Sequence, residues 1–177
     1  HAPLEALAEL QDSTGIDPDD VERVRVRTFE LGTTLDRTDP DNVLSAKFST
    51  PFALASRLYT GRSDAEAFTP DLVANDKIQA LADRVELGVD EALESRASEG
   101  KWGATVTVEL TDGTTHSTTK EDARGGGDTP FTREEIYHKF DSLVGTRLEE
   151  STASEFREEL IAVASVDSVS SLLDPLH

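Results

Sequence analysis

Histidines are the side chains of this sequence best suited to move protons, because an unperturbed imidazole titrates near neutral pH. The chain has four of them, namely His1, His116, His138 and His177. No two are separated by the H-x-x-x-H spacing with which one helix face binds zinc. The chain has no cysteine, which excludes thiolate metal sites, disulfides and a cysteine nucleophile. Acid–base chemistry by histidine is therefore the first chemistry to consider.

Two further segments begin like ligand-binding loops but lack the residues that would complete them. The glycines at 125–127 are not followed by the Lys-Ser/Thr pair of a phosphate-binding loop, so we interpret them as a linker. The acidic segment 17–20 starts like a calcium loop, but Pro18 and the missing later Gly and Glu indicate a turn. No G-x-S-x-G motif is present, which disfavours an α/β hydrolase.

The charge balance excludes several classes of partner. Among 177 residues, 36 are acidic and 17 basic, giving a formal net charge of −19. A nucleic-acid-binding protein or one bound to an anionic membrane needs a basic face, so neither class is expected. The acids are spread along the chain, as on a solvated folded surface. Because salt screens their mutual repulsion, a salt-adapted, halophilic source is favoured over an ordinary acidic protein.

The expected localisation depends on two sequence features, a membrane-spanning segment and a signal peptide. No apolar run approaches the roughly 20 residues that span a bilayer. The start of the chain has neither the basic patch nor the apolar core of a signal peptide. We therefore expect a cytoplasmic protein.

The helices that must position these side chains are indicated by apolar spacing and by caps. A helix is predicted over residues 3–12, and another from about Thr50, because Pro51 is tolerated only in a first turn. One or two short helices are expected over 71–82. A T-x-x-E capping box, Thr132 to Glu135, opens a further helix. Its predicted buried face is Ile136, Phe140, Leu143 and Val144, and a last helix over about 154–164 buries Phe156, Leu160, Ile161 and Val163.

The strands are indicated by period-two alternation. Residues 21–29 alternate valines with Arg23, Arg25 and Arg27, which predicts a strand whose arginine face is solvated and paired with acids. A second strand is expected over 84–89. Residues 104–110 and 114–119 flank Asp112-Gly113, the strongest short hairpin signal. These elements predict an α+β fold, with helices packed on one face of a small antiparallel sheet in two layers.

Four segments, taken in order, carry a family resemblance. They are His1 to Leu7, I-D-P-D-D-V-E-R-V at 16–24, A-K-F-S-T-P-F-A-L-A at 46–55, and the hairpin turn followed by 125–140. Two residues depart from the common pattern: Glu5 stands where Asp is common, and Phe52 replaces a frequent Tyr. Together they resemble the C-terminal domain of the MmgE/PrpD family. That family includes 2-methylcitrate dehydratase, cis-aconitate decarboxylase and iminodisuccinate epimerase.

The resemblance implies a lyase, specifically a hydro-lyase, that acts on a small di- or tricarboxylate without a metal or other cofactor. It implies that residues 1–177 form a single α+β domain, and that an N-terminal all-helical domain, absent from this chain, forms the other wall of the catalytic cleft. Dehydration of 2-methylcitrate, a reaction of propionate catabolism, is the first candidate. A homodimer is expected, and this chain alone is expected to be inactive.

The resemblance also implies roles for three residues. His1 is the candidate catalytic acid or base, Lys47 would bind a substrate carboxylate, and Ser49 would donate a hydrogen bond to the substrate. Each has an alternative: His1 as a tag remnant, Lys47 as a solvated loop residue, and Ser49 as a helix N-cap. Tyr59 and Trp102 are interpreted as packing residues.

Two other interpretations of the function remain open at this stage. The domain is a non-catalytic structural or dimerisation module that covers a cleft, or a binding domain for small carboxylates that acts alone. Within the family, decarboxylation and epimerisation are alternatives to dehydration, because the residues that discriminate them are expected mostly in the missing domain.

Overall fold

The computed structural model describes residues 1–163, and the chain in it begins with a helix, α1, at Ala2–Thr14. Proline is well suited to the first turn, because the N–H that it lacks would have no acceptor within the helix at that position. The side chains that α1 buries recur at helical spacing: Ala2, Ala6, Leu7 and Leu10. Gly15 ends the helix in the left-handed conformation, at φ 68°, and its N–H bonds to the Gln11 carbonyl. The predicted first helix is confirmed.

Four strands form one sheet: β1 (Val21–Thr28), β2 (Val85–Val89), β3 (Ala104–Leu110) and β4 (Thr115–Lys120). Their order is β2-β1-β3-β4. The expected α+β fold is confirmed, but the expected sheet was wholly antiparallel and β1 pairs with β2 in parallel. The physical reason is the long connection between them, which carries helices and returns the chain to the same end of the sheet.

The two faces of β1 differ as the alternation predicts. Val24, Val26 and Thr28 are buried beneath the helices. On the outer face, Arg23 and Arg25 both lie within 4 Å of Glu86, and Arg25 also pairs with Glu109. The solvated, acid-paired face is therefore confirmed for these two arginines.

The segment 43–60 forms two helices, α3 (Val43–Lys47) and α4 (Thr50–Thr60). The break is expected physically, because Pro51 has no N–H and its ring would clash with the Lys47 carbonyl in a continuous helix. Ser49 caps α4, since its Oγ accepts the Phe52 N–H at 2.9 Å. The predicted start near Thr50 and the capping role of Ser49 are both confirmed.

Four shorter helices complete the layer: α2 (Glu30–Thr33), α5 (Pro70–Val73), α6 (Asp76–Ala82) and α7 (Glu91–Ala97). Helices α5 and α6 fall within the region where one or two were expected. Helices α2 and α7 were not predicted, because between them they bury only Leu93, too little for a periodic signal. Asp90 stabilises the start of α7 by accepting the N–H groups of two following residues.

The helices bury one face of the sheet in a single core. Contacts run from α1 to β3 and β4, and from α4 to α1 and α6. The largest fully buried side chains include Phe52, Leu54, Leu7 and Ile78. No helix within the described residues is both long and apolar enough to cross a bilayer.

The chain divides into two compact units, His1–Pro130 and Phe131–His177, and the elements above belong to the first. In the second, α8 (Arg133–Val144) and α9 (Glu150–Ile161) are joined by a short loop. The capping box of Thr132 and Glu135 is confirmed. The rings of Phe140 and Phe156 lie 5.8 Å apart between the two helices.

The predicted buried face of the second unit is only partly correct. Ile136 is 54% exposed, and Leu143, Ile161 and Val163 are exposed to a similar extent. Two helices of twelve residues share only a small interface, so part of the predicted apolar face stays exposed. The predicted last helix reaches residue 164, which lies outside the described residues together with the rest of 164–177.

Candidate functional site

A cavity of about 120 Å³ lies at one end of the sheet in the first unit. Its lining comes from six segments: the start of α1, the stretch from the end of β1 through α2 to the loop after it, the start of α4, the middle of β2, the segment before β3 and the segment after β4. The lining residues are His1, Ala2, Pro3, Val26, Thr28, Phe29, Gly32, Leu35, Thr50, Leu87, Trp102 and Ala123.

His1 reaches this cavity because α1 carries it there. It is the N-cap residue of the helix, and its carbonyl accepts the Glu5 N–H at 3.1 Å. Its side chain makes no capping hydrogen bond, so its two nitrogens are not engaged by the helix that holds it. The residue is exposed, as a group that meets a substrate must be.

Two carboxylates fix α1 against the rest of the unit. Glu5 accepts the backbone N–H of Arg124 with both oxygens, at 2.9 and 3.0 Å, next to the lining residue Ala123. Glu9 accepts from Lys120 and Thr118 on β4. The hydrogen bond from Lys120 holds the pKa of Glu9 below its ordinary value. The imidazole of His1 is therefore carried by a helix anchored along its length.

Thr50 brings the 46–55 segment to the same cavity. The Thr50 N–H donates to the Leu35 carbonyl at 2.9 Å, and both residues line the cavity. Ser49 holds this arrangement from behind, because its Oγ accepts the Phe52 N–H and donates to the Arg37 carbonyl. His1 and the start of α4 thus share one surface.

The predicted substrate-binding residues do not line the cavity. Ser49 is buried, and its hydroxyl proton is already donated to a carbonyl. Lys47 is exposed at the end of α3 and forms no ion pair within residues 1–163. Their roles toward a substrate stay predictions.

Sequence analysis missed Trp102 as a member of the site. We expected a packing residue, but 59% of its surface is exposed, and it lines the cavity beside Phe29. Tyr59 does pack against the core, and its hydroxyl donates to Asp19. The signal available in the sequence was position: Trp102 lies two residues before the predicted strand that begins at Ala104, and so at the end of the sheet.

The electrostatics of the cavity are simple. His1 is the one titratable side chain among the described residues that line it. The first N–H groups of α1 have no acceptor inside the helix, which places partial positive charge beside His1. No group of three or more His, Cys, Asp or Glu within residues 1–163 is arranged to hold a metal ion. The arrangement suits proton transfer next to a negatively charged group.

Comparison with known families adds a match along most of the chain. The sequence profile of the MmgE/PrpD C-terminal domain matches residues 1–165, a longer span than residues 1–140, within which the four resembling segments lie. No curated protein sequence matches the chain. Since the profile covers nearly all of the 177 residues, the chain belongs to the MmgE/PrpD family and carries its C-terminal domain.

Proposed function

We propose that this domain supplies one wall of the active site of a metal-independent lyase that acts on a small di- or tricarboxylate. The observation that carries the proposal is the shared cavity. His1, at the start of α1, and Thr50, at the start of α4, come from segments 49 residues apart and line the same 120 Å³ space. Both belong to segments that carry the family resemblance.

Dehydration of such a substrate breaks a C–H bond next to a carboxylate and expels a hydroxyl group. A base takes the proton, and an acid protonates the leaving oxygen, which departs as water. His1 can perform either step, because imidazole gains and loses a proton near neutral pH. The partial positive charge at the start of α1 would stabilise a substrate carboxylate held close to His1. Among the activities of the family, 2-methylcitrate dehydration is our first candidate.

The second proton-transfer group and the cations for the carboxylates are proposed to come from an N-terminal helical domain. Apolar side chains around the cavity support a protein partner at this position. Leu35 and Trp102 line the cavity and are exposed. Leu31 and Phe48 are more exposed still and lie within two residues of lining residues. Such a group of exposed apolar residues is typical of an interaction site. A cytoplasmic homodimer is proposed with it.

The test is kinetic, in a protein that joins this domain to its helical domain. We expect His1→Ala to lower kcat by between about 10² and 10⁴-fold, the usual contribution of a general acid or base. His138→Ala is the matched control, because His138 is an exposed histidine outside the cavity, in the second unit. Unchanged kcat in a folded His1→Ala protein would refute the catalytic role and favour a structural module.

Lys47 is tested in the same assay. If its ammonium group binds a substrate carboxylate, Lys47→Ala raises KM and leaves kcat nearly unchanged, since the interaction is present in both ground and transition states. Equal KM values for variant and parent would show that Lys47 is a solvated surface residue.

A further inference from the structure

Trp102 is held rigidly although its ring is exposed. The backbone N–H of Trp102 donates to Oδ1 of Asp122 at 3.2 Å. The next residue, Gly103, packs so closely that an added Cβ would lie 2.6 Å from the Lys120 carbonyl oxygen. The Gly103 carbonyl in turn accepts the buried Thr28 hydroxyl at 2.7 Å. A large apolar ring is therefore presented at the surface by a backbone that has little freedom.

The ring of Trp102 forms part of an apolar wall. Its centroid lies 6.1 Å from that of Phe29, with the planes inclined by 32°, a favourable separation for an aromatic pair. Val26, Leu35 and Leu87 add further apolar side chains to the lining of the cavity. Apart from the indole N–H of Trp102, these side chains offer a carboxylate no hydrogen-bond donor, so this wall suits the hydrocarbon part of a ligand.

The volume limits what this part can be. About 120 Å³ is close to the apolar cavity of about 150 Å³ that binds benzene in a well-studied engineered protein. Gly32 also lines this space, and an added Cβ there would lie 3.0 Å from the Thr28 methyl group. An alkyl substituent of a few carbon atoms fits.

We propose that Trp102 is a specificity-determining residue, which contacts the alkyl substituent of a branched small carboxylate while His1 faces the carboxylate-bearing carbon. This inference rests on the proposed function, because it takes His1 as the reacting group. Through this contact, Trp102 would make alkyl-substituted di- or tricarboxylates bind more tightly than their unsubstituted analogues.

The first test measures affinity by calorimetry in the protein that joins this domain to its helical domain, because the cations for the carboxylates are proposed to come from that domain. Succinate, methylsuccinate and ethylsuccinate are titrated separately, since they share two carboxylates and differ only in the alkyl group. Salt of about 1 M KCl reduces the Debye length to about 3 Å and so screens the net charge of the chain. We expect affinity to rise about fourfold with each added carbon, the equivalent of about 0.8 kcal/mol per buried CH₂. Equal affinities for the three compounds would overturn the proposal.

The second test assigns the preference to Trp102 by calorimetry with the same three compounds. In Trp102→Ala the gain per carbon should fall towards onefold, and in Trp102→Phe most of it should return. Leu44→Ala is the matched control, because Leu44 is 67% exposed and does not line the cavity. A Trp102→Ala chain that loses affinity equally for all three compounds would overturn the proposal, since Trp102 would then not contact the alkyl group.

The two proposals fail in different ways. If the parent enzyme depends on His1 for turnover but shows no alkyl preference, the role of Trp102 alone is overturned. An alkyl preference that persists in a protein whose turnover is independent of His1 would overturn the lyase mechanism and leave the apolar subsite.

Discussion

Replacing Gly103 by alanine should destabilise the fold at the point that presents Trp102. Gly103 is buried and does not have a positive φ, so the cost of the change comes from contact and not from backbone strain. An added Cβ would lie 2.6 and 2.7 Å from the carbonyl oxygens of Lys120 and Glu121. Both oxygens belong to the backbone at the end of β4, which would have to move by several tenths of an ångström.

The expected loss of unfolding free energy is obtained by comparison with Gly88→Ala, a matched control. Each substitution stabilises by the same effect on the unfolded chain, about 0.4–1 kcal/mol, which cancels in the comparison. At Gly88 the added Cβ would meet only the end of the Arg27 side chain, which is exposed and can turn away. At Gly103 the overpacking costs about 1–3 kcal/mol. We therefore expect Gly103→Ala to be less stable than Gly88→Ala by about 1–3 kcal/mol.

The assay is urea unfolding followed by circular dichroism and by the fluorescence of Trp102. For a chain of this length, each 1 kcal/mol corresponds to a change in Tm of about 2–4 °C, so thermal unfolding gives an independent measurement. Equal stabilities of the two variants would refute the close packing of Gly103 against the end of β4. They would also remove one of the constraints on Trp102.

Three further predictions concern the same unit and the whole chain. Thr28→Val should lower the free energy of unfolding in urea by about 1–3 kcal/mol, because it removes the hydroxyl that donates to the buried Gly103 carbonyl. The control Thr119→Val, on the exposed face, should change it by less than about 0.5 kcal/mol. Similar losses in both variants would contradict the buried hydrogen bond. The hydrogen bond from Lys77 lowers the pKa of Asp19 in the folded state, so its stabilisation exists above the unfolded pKa of about 3.9 and is lost as the pH falls through the folded pKa. Asp19→Asn should thus lower Tm at pH 7 and match the parent in strong acid, and a Tm difference that does not shrink in acid would contradict this sign. Finally, the net charge of −19 implies repulsion among acidic side chains, which salt screens. Tm should therefore rise as KCl increases from about 0.1 to 1 M and the Debye length falls from about 10 to 3 Å. An unchanged Tm would argue against salt adaptation.

Local features of the fold were predictable because their causes lie within a few residues. The end of α1 at Gly15, the break before Pro51 and the turn at Asp112-Gly113 each follow from the conformations that glycine and proline favour. The capping box of Thr132 and Glu135 follows from side chains that reach only three residues along the chain. The order of such local signals also carried the family resemblance that the profile match confirms.

Pairings between distant segments were not predictable in this way. The parallel partner of β1 is β2, more than fifty residues away, and its direction depends on where the intervening helices return the chain. The exposure of Ile136 on α8 likewise depends on how much of that helix its neighbour covers. Neither quantity is encoded in any single stretch of sequence.

The sequence by itself determined the acidic surface, the alternation of β1, the caps of the helices and the candidacy of His1, because residue type and spacing decide these properties locally. The tertiary structure alone decided that His1 and Thr50 share a cavity, that Ser49 is buried behind it, and that Trp102 forms its exposed rim. The physical reason is that a cavity is the space left between packed elements. Its walls come from six separate segments whose distances are fixed only when the core between the helices and the sheet is formed.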